Sequence, residues 1–239
     1  MKIKNLHRWN LTPKQAIALQ KKLAPKIKFT AVKKFPKLVA GLDCAFSKDG
    51  QKIIAVVVVL QLSDLKVIET KYAVRKLRFP YIPGLLSFRE APACLSAAKK
   101  LKNTPDVFLI DGHGLAHPRR LGIASHLGLF LNKPTIGCAK SRLIGEFELP
   151  PLEKGSYSLL LDKKTCGSDT RNKRRATSDE IIGVVLRTAT NAKPIFISVG
   201  NNCRLKDAIK ITLAYTAGFR IPEPTRLADH LVSKLKLKV

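Results

Sequence analysis

Apolar, β-branched runs dominate the first third of the chain and are separated by short polar turns. The runs 38–46 and 52–62 flank the turn 48–50, whose Asp-Gly pair between β-branched segments is a strong hairpin signal. A third run, 65–74, follows a short turn at 63–64. The pattern predicts three consecutive antiparallel strands at the start of a sheet.

Helical periodicity occurs on both sides of these strands. Thr12 is positioned to cap a basic amphipathic helix over 13–24, which has proline at its first position. Ser87 and Glu90 match the S-x-x-E capping box and predict the start of a second helix over 88–102.

The second helix leads to a short apolar strand, 107–111, and a strand-helix-strand crossover makes this strand parallel to one of the earlier ones. A fifth strand of the same kind begins at Pro134. Further strands are predicted at 181–188 and 193–200, and a helix at 206–217. We therefore expect one α/β domain over 1–239, with a mixed sheet of three antiparallel strands followed by parallel strands and helices on both faces.

Charge is the unusual feature of the composition. The 239 residues include 44 lysines and arginines against 17 aspartates and glutamates, which gives a formal net charge of +27. Eleven basic residues precede Asp43, the first acid, and a second basic cluster lies between Lys163 and Arg175. Because neutralised phosphates release counterions, this excess favours a polyanionic partner. The alternative interpretation is that a generally lysine-rich proteome, or a surface that serves only solubility, explains the excess.

Cysteine usage and hydrophobicity indicate the cellular setting. The five cysteines are odd in number, widely spaced and form no CxxC pair, which favours a reducing compartment over disulfides or zinc. No apolar run approaches the roughly 18 residues of a membrane span, and the first ten residues lack the apolar core of a signal peptide. We expect a soluble, cytoplasmic protein without a membrane partner.

Two acids stand inside apolar strands. Asp43 lies in VAGLDCAF and Asp111 ends VFLID, and an ionised carboxylate is not buried there without a compensating charge. If the first and fourth strands are neighbours, the two carboxylates face one another and could hold a hard cation such as Mg²⁺. A hydrogen-bonded acid that caps a turn is the alternative, mainly for Asp111 before Gly112.

Other polar residues have two interpretations each. The capping box alone accounts for Glu90, so its spacing does not decide between a structural and a functional role. In the glycine-rich segment 112–128, Arg119 and Arg120 are of the type that binds phosphate. The histidines of this segment do not have the spacing of a compact zinc motif; they are His113, His117 and His126.

Five segments together resemble one known family. In chain order they are VAGLDCAF, PYIPGLLSFRE, LIDGHGLAHPRRLGIASHLG, PTIGCAKS and FRIPEPTRLAD, which span about Val39 to Asp229. They resemble endonuclease V, the deoxyinosine-directed nuclease with an RNase H-like fold.

The resemblance implies an activity and a set of site residues. The family uses Mg²⁺ or Mn²⁺ to cleave the second phosphodiester bond 3′ to a hypoxanthine-bearing nucleotide in DNA, and in some members in RNA. By similarity, Asp43 and Asp111 are the metal ligands, Glu90 is the third acid, and Lys140 lies beside the scissile phosphate.

The resemblance also implies how the lesion is bound. In the family a PYIP segment enters the duplex, so Tyr81 would stack where the lesion base has been extruded. The corresponding segment here is Pro80, Tyr81, Ile82 and Pro83. The expected hypoxanthine pocket is lined by main-chain groups around Gly112, Gly122 and Gly137.

One position departs from the family pattern. Where family members have S-P-G-H or S-V-G-H, with the histidine close to the metal centre, this chain has ISVGNN. Asn201 aligns with the histidine, and Asn202 is the alternative candidate. Asparagine cannot take up a proton as imidazole can. Two alternatives to an active, monomeric inosine nuclease stay open: an RNase H-like nuclease that recognises nucleic-acid structure, and an inosine-binding protein with weakened catalysis.

Overall fold

The computed structural model describes residues 1–163 and 179–239, so most of the basic cluster between Lys163 and Arg175 lies outside the described residues. Within those ranges the helices are α1 (Pro13–Leu23), α2 (Leu86–Lys99), α3 (Ile123–Leu131), α4 (Leu205–Ala214) and α5 (Glu223–Leu235). The strands are β1 (Leu38–Phe46), β2 (Lys52–Gln61), β3 (Val67–Lys76), β4 (Val107–Ile110), β5 (Thr135–Ala139), β6 (Tyr157–Asp162), β7 (Glu180–Leu186) and β8 (Ile195–Asn201).

The strands form one mixed sheet in the order β3-β2-β1-β4-β5-β8-β7-β6. The prediction of three antiparallel strands followed by parallel ones is confirmed for β3-β2-β1 and for β4 and β5, which run parallel to β1. The later strands differ, because β8, β7 and β6 are antiparallel to their neighbours. The sequence patterns also missed β6, whose six residues include a single buried one.

Helices cover both faces of the sheet, as predicted. β2 is buried over eight consecutive residues, which explains why its sequence is continuously apolar rather than alternating. One face packs against α2 and α3 through Leu42 and Ala98, among others. The opposite face packs against α4 and α5 through Val56 and Ala228.

The two predicted helix caps have different outcomes. At α1 the capping box is present: the Thr12 hydroxyl accepts from Gln15 N, and the Gln15 side chain accepts from Thr12 N. At α2 the predicted capping box is wrong, because the N-cap is Leu85 and the helix begins before Ser87. The Ser87 hydroxyl instead bonds His126 Nδ1 at 2.9 Å, which leaves Glu90 free of any capping role.

Among the described residues, no helix combines the length and the apolar character that crossing a membrane requires.

Candidate active site

Strand pairing brings two acids to the same edge of the sheet. Leu42 of β1 is the register partner of Ile110 of β4, so Asp43, inside β1, and Asp111, just after β4, are the next residues on neighbouring parallel strands. The Asp111 N–H donates to Leu42 O at 3.1 Å and fixes this alignment. The expectation that the first and fourth strands are neighbours is therefore confirmed.

Lys140 lies at the same edge, directly after β5. Its ammonium nitrogen is 2.6 Å from Asp111 Oδ2 and 3.0 Å from Asp229 Oδ2. Burial opposes the positive charge, but the two carboxylates outweigh this effect and raise the pKa of Lys140. Lys140 therefore stays charged and connects two acids that come from different elements.

The sequence patterns did not indicate Asp229 as a site residue, because it lies on α5, an amphipathic helix with charged neighbours. Its position depends on Gly41 in β1. A Cβ atom on Gly41 would lie 1.9 Å from the carbonyl carbon and oxygen of Pro224, so only glycine lets α5 begin so close to β1. This close approach carries Asp229 to the carboxyl end of the sheet.

Glu90 reaches the site from α2 and is only 8% exposed. Its carboxyl group hydrogen-bonds the thiol of Cys44, the residue that follows Asp43. Asp43, Glu90, Asp111, Asp229 and Lys140 are called the acid cluster below.

Burial and like charge shift the pKa values of this cluster. Burial, followed by repulsion from Asp111, raises the pKa of Asp43 to about 8. Burial is also the main cause that raises the pKa of Glu90 to about 7, and Asp111 adds to it. The pKa of Asp111 is raised as well, because burial outweighs its ion pair with Lys140. The fold alone therefore disfavours the ionised forms of these three acids.

The donor atoms of this cluster suit a hard cation, since carboxylate oxygens are the ligands that Mg²⁺ prefers. In the part of the chain that the structure describes, no three His, Cys, Asp or Glu side chains are already arranged around one metal position. The cation in contact with Asp111 and Asp229 is the Lys140 ammonium.

The PYIP segment forms a firmly held loop with an exposed aromatic tip. Tyr81 is 70% exposed, whereas Phe79 just before it is 6% exposed and anchors the loop. At the far end the Gly84 carbonyl accepts from His117 Nε2 at 3.0 Å and from Arg119 at 2.6 Å. Because Arg119 N donates to His117 Nδ1, the His117 proton lies on Nε2, consistent with a pKa that burial lowers to about 4.

A pocket of about 160 Å³ lies between this loop and the segment that follows Asp111. Its lining includes predicted residues from both segments, together with His113 and His117. The predicted members are Tyr81, Ile82, Pro83, Gly112 and Gly122. The pocket is thus joined to the acid cluster through the Asp111-Gly112 bond.

Gly137 does not line this pocket, contrary to expectation, but supports it from behind. A Cβ atom on Gly137 would lie 2.5 Å from Gly112 O, and one on Gly122 would lie 2.2 Å from His113 O. These two glycines let three stretches of backbone stack closely. Gly112 has φ +134°, a conformation that other residues rarely adopt.

The structure does not bring Asn201 to the acid cluster. Asn201 pairs with Thr135 at the beginning of β5, whereas Lys140 follows the end of that strand. The Asn201 side chain accepts from Lys28 N and donates to Gly128 O, and the residue is buried. Its expected position near the metal centre is wrong, so the asparagine gives no reason to infer weakened catalysis.

The two arginines expected to bind phosphate have protein partners instead. Arg119 bonds Gly84 O, and Arg120 forms ion pairs with Asp162 at 2.5 Å and Glu180 at 2.8 Å. The sequence could not distinguish these roles, because the acidic partners lie about 40 and 60 positions later in the chain.

Comparisons with known proteins converge on one family. A family model described as endonuclease V matches residues 21–230. The curated endonuclease V of Petrotoga mobilis is 44% identical over 236 residues, 99% of each chain. That of Dehalococcoides mccartyi is 46% identical over 235 residues, 98% of this chain and 99% of the relative.

Solved structures agree. The crystal structure of endonuclease V from Bacillus subtilis has a TM-score of 0.88 and 32% identity, and the match covers 100% of this chain and 98% of that one. Endonuclease V from Ciona intestinalis, solved in complex with a 24mer DNA containing an inosine followed by a ribo-adenosine, has a TM-score of 0.75 and 29% identity. That match covers 94% of this chain and 98% of the other.

Proposed function

Because the chain belongs to the endonuclease V family, and is therefore a nuclease, we propose that it cuts inosine-containing nucleic acid in the repair of deaminated bases. The cut falls at the second phosphodiester bond 3′ to the hypoxanthine-bearing nucleotide. The observation that carries the proposal is the direct connection between the acid cluster and a pocket bordered by the exposed Tyr81. The Ciona relative, bound to inosine-containing DNA, supports the substrate class.

The proposed cofactor is Mg²⁺, for which Mn²⁺ can substitute, held by Asp43 and Asp111. The residues fit this ion because strand pairing places two carboxylates side by side, the donor type that Mg²⁺ prefers. Added positive charge would also favour the ionised form of Asp43, whose pKa burial and Asp111 raise to about 8. When bound, the ion would supply polarisation of the phosphate and a lowered pKa for water.

The remaining residues of the acid cluster act on charge and protons. Lys140, held charged between Asp111 and Asp229, is placed to offset the negative charge that develops on the phosphate. Glu90, with a pKa of about 7, is suited to accept a proton near neutral pH.

Selectivity would come from the loop and the pocket. The prolines on each side of Tyr81 restrict the backbone, so little ordering entropy is lost when the ring stacks in a duplex. Inosine pairs less well than adenine and costs less to extrude, and main-chain groups of the pocket can read its altered edge.

The test is nicking of a duplex with one inosine, beside the same duplex with adenine, in Mg²⁺. We expect a single cut, at the second phosphodiester bond 3′ to the inosine, and no cut in the duplex with adenine. Asp43→Ala should abolish the product, while Asp64→Ala, an exposed acid in a turn, should not. Equal cutting of both duplexes, or an active Asp43→Ala protein, would contradict the proposal. The same assay with inosine-containing RNA, repeated at several salt concentrations, shows whether DNA or RNA is cut faster.

A further inference from the structure

A second and larger pocket, of about 400 Å³, lies on the other side of the PYIP loop. Pro80 lines this pocket, whereas its neighbour Tyr81 lines the one connected to the acid cluster. Its volume falls within the roughly 300–1,000 Å³ of typical ligand sites. The loop thus separates two cavities, and only one of them has a role in the activity described above.

The lining of this pocket combines an apolar floor with a basic rim. Phe79 and Phe88 are buried at 6% and 2% exposure and form the floor, and Trp9 from the N-terminal segment forms one wall. The rim carries exposed cations at the end of β3 and just after it: Arg75, Lys76 and Arg78. None of the described residues that line the pocket is acidic.

Arg89 adds a further cation at the back of the pocket. Its guanidinium donates to Phe79 O at 2.9 Å and lies 4.6 Å from the centre of the Phe46 ring. Its Nε atom is buried and has no hydrogen-bond partner in the structure. A buried N–H without a partner is costly, so a ligand that reaches it with an acceptor would gain binding energy.

These features match one chemical class of ligand. An aromatic wall and apolar floor suit a nucleobase, since base–aromatic stacking contributes about 1–3 kcal/mol. A rim of arginine and lysine suits the phosphates on either side of that base. A single unstacked nucleotide has both parts.

We propose that this pocket receives a nucleotide of the uncut strand, the one whose base loses its partner when Tyr81 enters the duplex. The inference rests on the proposed function, in which the lesion base goes to the pocket on the Tyr81 side. The two pockets lie on opposite sides of the loop, so the base of the other strand has its own site.

Trp9 provides a direct readout, because it is the only tryptophan of the chain. The fluorescence emission of Trp9 is compared when the protein is bound to each of three nucleic acids. EDTA is present so that the inosine strand is not cut, and anisotropy is used to bring all three complexes to the same saturation. The nucleic acids are a duplex with a base opposite inosine, the same duplex with an abasic site opposite inosine, and the inosine strand alone. We expect a clear change with the first and less than about half of it with the other two. The same change with all three would overturn the inference.

Substitutions on the rim provide the second test. The double variant Arg75→Gln/Arg78→Gln should bind the duplex about tenfold more weakly. The slope of log K against the logarithm of the salt concentration should become shallower by about 1 to 2. Binding of the single strand should change less than about twofold. The matched control is Lys206→Gln with Lys210→Gln, two exposed lysines on α4, on the opposite face of the sheet. An equal loss for single strand and duplex, or the same loss in the control, would overturn the inference.

These measurements separate the inference from the proposed function. Nicking of the single inosine strand in Mg²⁺ tests the proposed function without the second strand. If that strand is cut and the rim variants bind duplex normally, the pocket assignment alone fails. If no inosine preference appears in binding or cutting, the proposed function fails, whereas the Trp9 comparison still reports whether the opposite base enters the pocket.

Discussion

Two groups of buried polar side chains in this protein follow opposite rules. In the first, the acid cluster, like charges meet and burial raises the pKa values of Asp43 and Glu90 to about 8 and 7. In the second, His7 Nε2 lies 2.8 Å from His126 Nε2, and His126 Nδ1 lies 2.9 Å from the Ser87 hydroxyl. We call these three residues the histidine cluster.

Every hydrogen-bonding atom of the histidine cluster can be satisfied without charge. His7 Nδ1 faces Arg8 O, an acceptor, so it carries a proton and leaves Nε2 to accept from His126 Nε2–H. His126 Nδ1 then accepts from Ser87. The rings of Trp9 and Phe130 enclose the pair. A closed neutral chain of this kind stabilises a fold, whereas an acid cluster with unmet charge costs stability and is a sign of function.

The largest expected effect is on catalysis, in the acid cluster. Asp43→Asn should reduce inosine nicking by about a thousandfold or more, since charge stabilisation at a metal site contributes several kcal/mol. The same change should raise the free energy of unfolding at pH 8, because it removes a carboxylate that the fold keeps from ionising. Nicking assays and urea titrations measure the two effects. An Asp43→Asn protein that is both inactive and less stable would contradict the statement that the acid cluster costs stability. Asp64→Asn, at an exposed acid, is the matched control.

The histidine cluster should give the reverse result. His126→Leu removes both side-chain hydrogen bonds and leaves His7 Nε2 and the Ser87 hydroxyl without partners, at a cost of roughly 2–4 kcal/mol. The nicking rate per folded molecule should change less than about threefold. Thermal unfolding and active-site-normalised rates measure these outcomes. A large rate loss at full stability would place His126 in catalysis instead.

The sequence predicted the parts of the site that lie in strands. Asp43 and Asp111 stood out because acids are rare in apolar runs, and the strand–helix–strand pattern indicated that their strands run parallel. Asp229 gave no such signal, since an acid on an amphipathic helix looks like any solvated residue. Its position follows from the close packing of Pro224 on Gly41, which depends on two segments about 180 positions apart.

The errors have the same origin. The capping box at Ser87 was locally valid, but a buried histidine 39 positions away takes the hydroxyl. Asn201 was placed near the acids by alignment to a family motif, whereas antiparallel pairing of β8 with β5 puts it at the opposite end of the sheet. Local patterns determine elements, but partners distant in the chain determine which side chains meet.

Tyr81→Ala separates the binding loop from the chemistry. The loss of a stacking ring that is 70% exposed should weaken inosine-duplex binding by about 1–2 kcal/mol, roughly tenfold, and leave the cutting rate at saturating enzyme nearly unchanged. Glu90→Gln should do the reverse. Anisotropy titrations and single-turnover nicking measure the two steps. A common effect of both variants on both steps would remove the distinction between the loop and the acid cluster.

The smallest effect is the pH dependence of stability, about 1.4 kcal/mol per pH unit for each proton exchanged. The Asp43 pKa rises from 3.8 to about 8 on folding, so the folded state holds the extra proton and stability falls as pH rises through that window. The His126 pKa falls from 6.5 to about 3, mainly through burial, so the unfolded state takes the extra proton and stability falls as pH drops through that window. Glu90, whose pKa rises to about 7, adds a slope of the same sign as Asp43, and His117, whose pKa falls to about 4, adds one of the same sign as His126. The acid and histidine slopes therefore oppose each other between about pH 4.5 and 6.5. With EDTA present, urea titrations should give a plateau there and a decline toward pH 8, whose part above about pH 7 is removed by Asp43→Asn and not by His126→Leu. A decline between about pH 7 and 8 that persists in Asp43→Asn would assign it to groups other than Asp43.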